Sequence, residues 1–260
     1  MDAKDFIFNG QSLSDYGFII GSFGDDGTVT PGGISYTMTN VPSNDRKYIS
    51  SMKYDSTIEF TFSIVKYDCN VNHIEPVDRY EDSAMHKWLE REGFHSLSFC
   101  QDDYENIHYN AYISISPKII AGRTYGYKLV ATTDNVYAYD FKCEYEFDIN
   151  ANEEYILFTS SDKCGYIYPK IEITPLESGN LSLTIKEDNE QNSSVFNNVT
   201  ENITIKLDSE LGIVENIDTD NFNWKFPRLI QGYEDTINTI ITTLPCHIKV
   251  NYIPRRKVVM

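Results

Sequence analysis

Residues 57–65 place Ile58, Phe60, Phe62 and Ile64 on one face and Glu59, Thr61 and Ser63 on the other, the period of two that a half-buried strand requires. A longer run sends Tyr137, Tyr139, Phe141, Cys143, Tyr145, Phe147 and Ile149 to one side and Ala138, Asp140, Lys142, Glu144, Glu146 and Asp148 to the other. It predicts one continuous strand with Cys143 on its apolar face. Shorter alternations recur at Ala111/Ile113/Ile115, Ile167/Ile171/Ile173, Leu181/Leu183/Ile185, Ile203/Ile205/Leu207 and Ile248/Val250/Tyr252, separated by turn-rich stretches such as Glu177-Ser178-Gly179-Asn180. Short strands so punctuated predict an all-β chain, built as a sandwich or barrel.

Only one segment reads as helix. Asp82 or Ser83 can cap it, Ala84/Trp88 and Met85/Leu89 are i,i+4 pairs, and Gly93 can end it, so one short helix packs on a sheet edge or closes a barrel. The polar stretch 150–154 has no apolar period and follows the longest strand. It predicts a boundary there, with domains of residues 1–149 and 150–260. The Asn-rich tract from Asn189 to Asn202 reads as a long loop. Phe222, Trp224 and Phe226 read as one face of a strand, with core packing favoured over stacking on sugar rings.

Composition narrows the function. A chain of 260 residues with 19 Tyr and 14 Phe has ample apolar and β-favouring mass for a core. Its 22 basic and 39 acidic residues leave a formal charge of −17, which opposes condensation onto a phosphate backbone. The five cysteines (Cys69, Cys100, Cys143, Cys164, Cys246) are odd in number and widely spaced, with no C-x-x-C. They predict buried thiols in a reducing cytoplasm rather than a disulfide framework or zinc site. The start Met1-Asp2-Ala3-Lys4-Asp5-Phe6 lacks a basic region followed by an apolar run, so no signal peptide is expected. No stretch approaches the roughly 20 apolar residues that span a bilayer, so no membrane insertion is expected.

Candidate chemistry is sparse. There is no G-x-S-x-G and no Cys/His signature for nucleophilic catalysis. Gly122-Arg123-Thr124-Tyr125-Gly126 lacks the Gly-Lys-Ser/Thr ending that cradles a nucleotide phosphate and reads as a turn between strands. Asp102-Asp103-Tyr104-Glu105 and Asp188-Asn189-Glu190 lack the spaced carboxylates and turn glycine of an EF-hand and read as solvated loops. The sequons at Asn180, Asn192, Asn198 and Asn202 carry no weight without secretion. No catalytic, cofactor-binding or metal-binding residue is assigned, and no enzyme activity is expected.

The order of elements carries a resemblance. Asp5-Phe6-Ile7-Phe8-Asn9-Gly10-Gln11-Ser12-Leu13-Ser14-Asp15-Tyr16-Gly17-Phe18 resembles the opening of the phage distal tail protein (Dit) family: an aromatic strand, Asn-Gly, then Ser-x-x-x-(Phe/Tyr)-Gly. Trp88-Leu89 on a short helix, then Leu97-Ser98-Phe99, an acidic turn with Tyr104 and a Tyr112-Ile113-Ser114 strand continue the likeness. The second half resembles the family's short, galectin-like C-terminal form through Tyr168-Pro169-Lys170-Ile171-Glu172-Ile173, Ile203-Thr204-Ile205-Lys206-Leu207-Asp208 and Phe226-Pro227-Arg228-Leu229-Ile230-Gln231-Gly232. It closes with Ile248-Lys249-Val250-Asn251-Tyr252 and Arg255-Arg256-Lys257. Members commonly follow the proline strand with Gly-x-Asn; here stands Gly232-Tyr233-Glu234-Asp235.

The resemblance implies an N-terminal split-barrel-like domain with one short helix and a C-terminal galectin-like β-sandwich, in a siphophage tail component. The first domain would close into a homo-hexamer joining the tail tube protein to the tail-associated lysin or spike. DNA would pass through the channel, and the second domain would carry receptor-binding proteins. Such a chain is made in the host cytoplasm and works at the virion tail tip. Two other function classes stand beside it. A carbohydrate- or receptor-binding sandwich would expose Trp224 on a concave surface, and a cell-wall glycosidase would face two carboxylates across a cleft.

Overall fold

The computed structural model describes residues 3–23, 27–40, 47–54, 57–68, 73–102, 106–188 and 193–257. Cys69, Asp103, Tyr104 and Glu105, and Asn189, Glu190 and Asn192 lie outside them. The chain forms two compact units, Met1–Tyr139 with Lys257–Met260, and Asp140–Arg256.

In the first unit, β1 (Asp5–Phe8) runs through Asn9 and Gly10, at φ 50° and 77°, into β2 (Gln11–Ser12). A two-residue hairpin needs positive φ at both central positions, which Asn-Gly supplies. A 3-10 turn follows at Leu13–Tyr16, then β3 (Phe18–Gly21) and β4 (Thr28–Thr30). Next come β5 (Ile34–Asn40), β6 (Lys47–Tyr54), β7 (Glu59–Asp68) and β8 (His73–Ile74). After the helix α1 (Arg79–Leu89), the unit finishes with β9 (His95–Cys100), β10 (Tyr109–Ile120), β11 (Arg123–Thr133) and β12 (Ala138–Tyr139).

The main sheet runs β2-β1-β9-β10-β11-β7-β3, with β4 and β8 also on β7. The Ile20 amide donates to the Lys4 carbonyl at 3.0 Å, so the two ends of this sheet meet as the ends of a barrel do. Ile58, Phe60, Phe62 and Ile64 are all buried, as their alternation predicts. They join Phe6, Phe8, Phe99, Tyr109, Tyr127 and Leu129 in one core. Trp88 is its anchor. Its ring stacks on Phe6 (5.6 Å) and Tyr16 (4.5 Å), and its indole N–H donates to the Phe8 carbonyl at 3.0 Å.

The helix begins earlier than the sequence suggests. Its cap is Asp78, whose carboxylate accepts from the Tyr80 and Glu81 amides at 2.7 and 2.9 Å, while Glu81 accepts from the Asp78 amide at 2.8 Å. This reciprocal box outcompetes Asp82 and Ser83, which lie inside the helix. Asp82 instead accepts from the Tyr127 hydroxyl at 2.7 Å. The turn at Gly122 is present, with Ala121 and Gly122 at φ 49° and 79°. Residues 123–126, however, belong to β11.

The second unit contains β13 (Cys143–Ile149), β14 (Glu154–Thr159), β15 (Gly165–Ile167), β16 (Lys170–Pro175), β17 (Gly179–Ile185) and β18 (Ser194–Val199). β19 (Ile205–Asp208), β20 (Ile213–Glu215), β21 (Leu229–Gln231), β22 (Thr236–Thr242) and β23 (Cys246–Tyr252) complete it. A five-stranded sheet, β13-β23-β16-β19-β20, and a four-stranded one, β14-β22-β17-β18, share one core. Across the first sheet Ile171 is paired with Val250 and Leu207, and Ile173 with Ile248 and Ile205. Apolar rows so aligned give a sandwich its inner face.

Five sequence expectations are corrected. The boundary lies at Tyr139/Asp140, not at 149/150, because β13 pairs along its whole length with β23. The run 137–149 is therefore two strands, Ala138–Tyr139 and Cys143–Ile149, with Phe141 exposed between them. The Asn-rich tract contains β18, which buries Phe196, and Ile203 is exposed ahead of β19. Phe222, Trp224 and Phe226 follow a 3-10 turn at Thr219–Asn221 and do not form a strand.

Candidate assembly surfaces

Among the described residues, β5 and β6 pair only with each other. Tyr36 lies opposite Met52, and Met38 opposite Ile49, while Ser35, Thr37 and Thr39 face Lys53, Ser51 and Tyr48. Residues directly opposite share a face, so one side of the ribbon is Tyr36, Met38, Ile49 and Met52 and the other is largely polar. The register shift between Thr37 and Met38 leaves Ser50 as the extra residue, and its hydroxyl donates to the Thr37 carbonyl at 3.0 Å. Without that bulge Ile49 would turn to the polar side.

This apolar face is open: Tyr36, Met38, Ile49 and Met52 are 49%, 56%, 61% and 53% exposed. The sequence carried a signal for this hairpin, the alternation of Tyr36 and Met38 followed by a turn-rich stretch, which the strand reading passed over. Beside its base an open cleft of about 590 Å³ is lined by Thr30, Tyr54, Thr57, Glu59, Thr132, Asp134, Asn135 and Val136. The Tyr54 and Tyr137 hydroxyls hydrogen-bond to each other there.

The two outer faces of the second unit contrast. On the five-stranded sheet, Glu146, Lys249, Glu172, Lys206 and Glu215 stand directly opposite one another in succession, a row of alternating sign across the sheet. Lys249 reaches Glu144 at 2.6 Å, and Lys170 reaches Asp208 at 2.7 Å. His247 sits between Asp148 (2.8 Å) and Glu146 (3.1 Å); the Asp148 hydrogen bond foremost, then Glu146, outweighs desolvation and raises its pKa. The four-stranded sheet instead exposes Ile156, Phe158 and Ile237.

Groups weighed for chemistry are scattered. Cys100 and Cys164 are exposed, Cys143 is half-buried and Cys246 is buried, all free. Burial pushes the Cys246 thiol up to about 12, and burial with Asp5 nearby raises Cys100. Neither favours the thiolate that a nucleophile needs. Asp188 is not on a solvated loop. It is buried, and its carboxylate takes both prongs of Arg228. Among the described residues no three His, Cys, Asp or Glu side chains converge to hold a metal. No described helix is long and apolar enough to cross a membrane.

Comparison with known proteins agrees with this architecture. Residues 1–135 match a family described as a phage tail protein N-terminal domain, and residues 137–252 match its phage tail C-terminal domain. No curated protein sequence matches the chain. Among solved structures, the crystal structure of the SPP1 Dit protein superposes with a TM-score of 0.66 at 11% identity, covering 96% of this chain and 98% of that one. That protein is described as a paradigm of the hub adsorption apparatus in phages infecting Gram-positive hosts. The chain therefore belongs to this phage tail protein family, and it carries the all-β fold of a distal tail hub protein.

Proposed function

We propose that this protein is a non-enzymatic ring adaptor at the virion tail tip, made in the host cytoplasm. In this reading a homo-hexamer joins the tail tube protein to the lysin or spike, and the second unit carries receptor-binding proteins. The observation that carries it is the β5–β6 hairpin. An isolated two-stranded ribbon is at best marginal in water, and four large apolar side chains on one exposed face need a covering surface. Among the described residues the two strands of the ribbon ladder only with each other, and a head-to-tail contact that closes on itself extends such a ribbon without making a filament.

Charge supports the same reading. The described hairpin residues include Lys47 and Lys53 and no acid, in a chain of net −17, so a second copy offers the complementary sign. An acidic ring would also keep DNA in transit from adhering to its wall; a ring whose channel lining is basic would contradict that role.

Light scattering on the purified chain across a concentration series tests the proposal, with hexamers or paired hexamers expected. Ile49→Asp puts a charge on the open hairpin face, at a residue that belongs to neither hydrophobic cluster, and is expected to leave the circular dichroism spectrum unchanged while lowering the mass to that of a monomer. A variant that assembles as the wild type does would remove the hairpin from the interface.

A further inference from the structure

We propose that the loop bearing Trp224 is a binding site for neutral saccharides, with the Trp224 indole as the stacking platform. Alternation with Phe222 and Phe226 predicts burial for this residue, yet it is 55% exposed. Its backbone has φ 57°, a left-handed conformation that glycine and asparagine adopt readily and a bulky aromatic rarely does. A tryptophan kept in a conformation that Asn or Gly would adopt with less strain marks a position where the side chain serves something other than packing.

The loop is built to hold that conformation. Phe222 bridges Phe196 in antiparallel fashion and is buried, so the segment lies against the edge strand β18. The Asn223 amide donates to the Val195 carbonyl at 3.1 Å, and its side-chain oxygen accepts from the Val195 and Lys225 amides at 3.1 and 3.2 Å. The Asn223 side-chain amide donates to the Ser193 carbonyl at 2.9 Å, and the Ser194 hydroxyl to the Lys225 carbonyl at 2.6 Å. Both neighbours of Trp224 are thus pinned to β18. The indole packs on Phe222 (5.9 Å, tilted) and Phe226 (6.4 Å, edge-on), contacts that hold its orientation while more than half of the residue stays exposed.

The surroundings select the ligand. Asn197 and Asn198 are exposed, and the Asn198 side-chain amide lies 3.4 Å from the Asn221 side-chain oxygen. Carboxamides offer donor and acceptor together, which suits sugar hydroxyls, while the apolar face of a pyranose ring suits an indole. Asp218 and Asp220 outnumber Lys225 on this loop, in a chain of net −17, so anionic polymers are disfavoured and binding should depend little on salt. The test of this site does not require a ring and reads out whatever the oligomeric state.

The test uses the purified full chain on an array of neutral oligosaccharides built from glucose, galactose, rhamnose and N-acetylglucosamine. Binding to at least one is expected, with a change in tryptophan emission, because Trp88 is buried and Trp224 is the other of the two tryptophans. Trp224→Asn suits the left-handed backbone and is expected to weaken binding at least tenfold, with a melting midpoint within a few degrees of wild type. Trp224→Phe keeps an aromatic face and should retain part of the affinity. No binding to any member of the array, or binding that survives Trp224→Asn, would overturn the proposal. So would a Trp224→Asn effect confined to self-association, which would mark a protein contact.

Discussion

Asp188 and Arg228, 40 residues apart, meet in a two-pronged ion pair, Nε to Oδ2 at 2.8 Å and Nη2 to Oδ1 at 2.9 Å. Asp188 is 1% exposed, and the guanidinium carbon sits 3.9 Å from the centre of the Tyr166 ring. The pair ties the end of β17 to the approach to β21, and Tyr166 adds β15 to the same knot. Planar geometry matters here, because lysine can neither fork onto a carboxylate nor lie flat on a ring.

Removing one partner leaves the other buried and uncompensated. Arg228→Ala should therefore destabilise the second unit by about 3–5 kcal/mol, the usual cost of breaking a buried pair, with Arg228→Lys intermediate. Urea unfolding of each variant measures this. Replacing both residues together by apolar ones of similar volume should cost less than Arg228→Ala alone.

A second buried polar device holds β21 against β14 and β22. Asn238 is fully buried; its amide donates to Thr159 Oγ1 (3.0 Å) and the Ile230 carbonyl (2.9 Å), and its oxygen accepts from the Ile230 amide (2.7 Å). Asn238→Ala strands the Ile230 amide in the interior, where a lost partner costs about 1–3 kcal/mol. Faster hydrogen exchange at Ile230, with little change at β16, would locate the damage.

The pH dependence of stability should carry the signature of His247. Its folded pKa is raised by Asp148 and Glu146. A raised pKa means the folded state binds the proton more tightly, so this contribution is fully present below the unfolded value of about 6.5. It fades as pH rises through the folded pKa. The side chain is 40% exposed, so solvent screens the pair and the slope is modest. The urea midpoint of wild type minus that of His247→Asn should fall as pH rises through this window; a difference that is flat or rises would contradict the assignment.

The sequence made legible those parts of the fold set by local pattern. The burial of Ile58, Phe60, Phe62 and Ile64 and the rows through Ile171, Ile173, Ile248 and Val250 follow from a period of two against a core. What failed was non-local. Nothing in the alternation from Tyr137 to Ile149 says that the chain changes units at residue 140; that follows from the partner of β13, nearly a hundred residues later. Asp188 looked like a solvated acid because Arg228 is remote in sequence. Trp224 looked like a core residue because its left-handed backbone, fixed by Asn223 against β18, cannot be read from spacing. The β5–β6 ribbon has a weak signal for a different reason: the alternation of Tyr36 and Met38 is short, and those side chains are exposed rather than part of a core.

The first unit's tightest constraint is Gly126. A Cβ placed there would stand 2.0 Å from the Ile64 carbonyl oxygen, a backbone atom in the neighbouring strand β7. Gly126 is paired with Val65 at the end of that ladder, and the obstructing atom is backbone, so relief requires the two strands to part there rather than a side chain to rotate. Gly126→Ala should cost at least the roughly 1–3 kcal/mol typical of overpacking, although alanine is the smallest possible addition. Ala131→Gly, a position farther along the same strand facing Phe60, controls for the loss of strand propensity. If Gly126→Ala melts no lower than wild type, the close approach of β11 and β7 is not as tight as their backbones indicate.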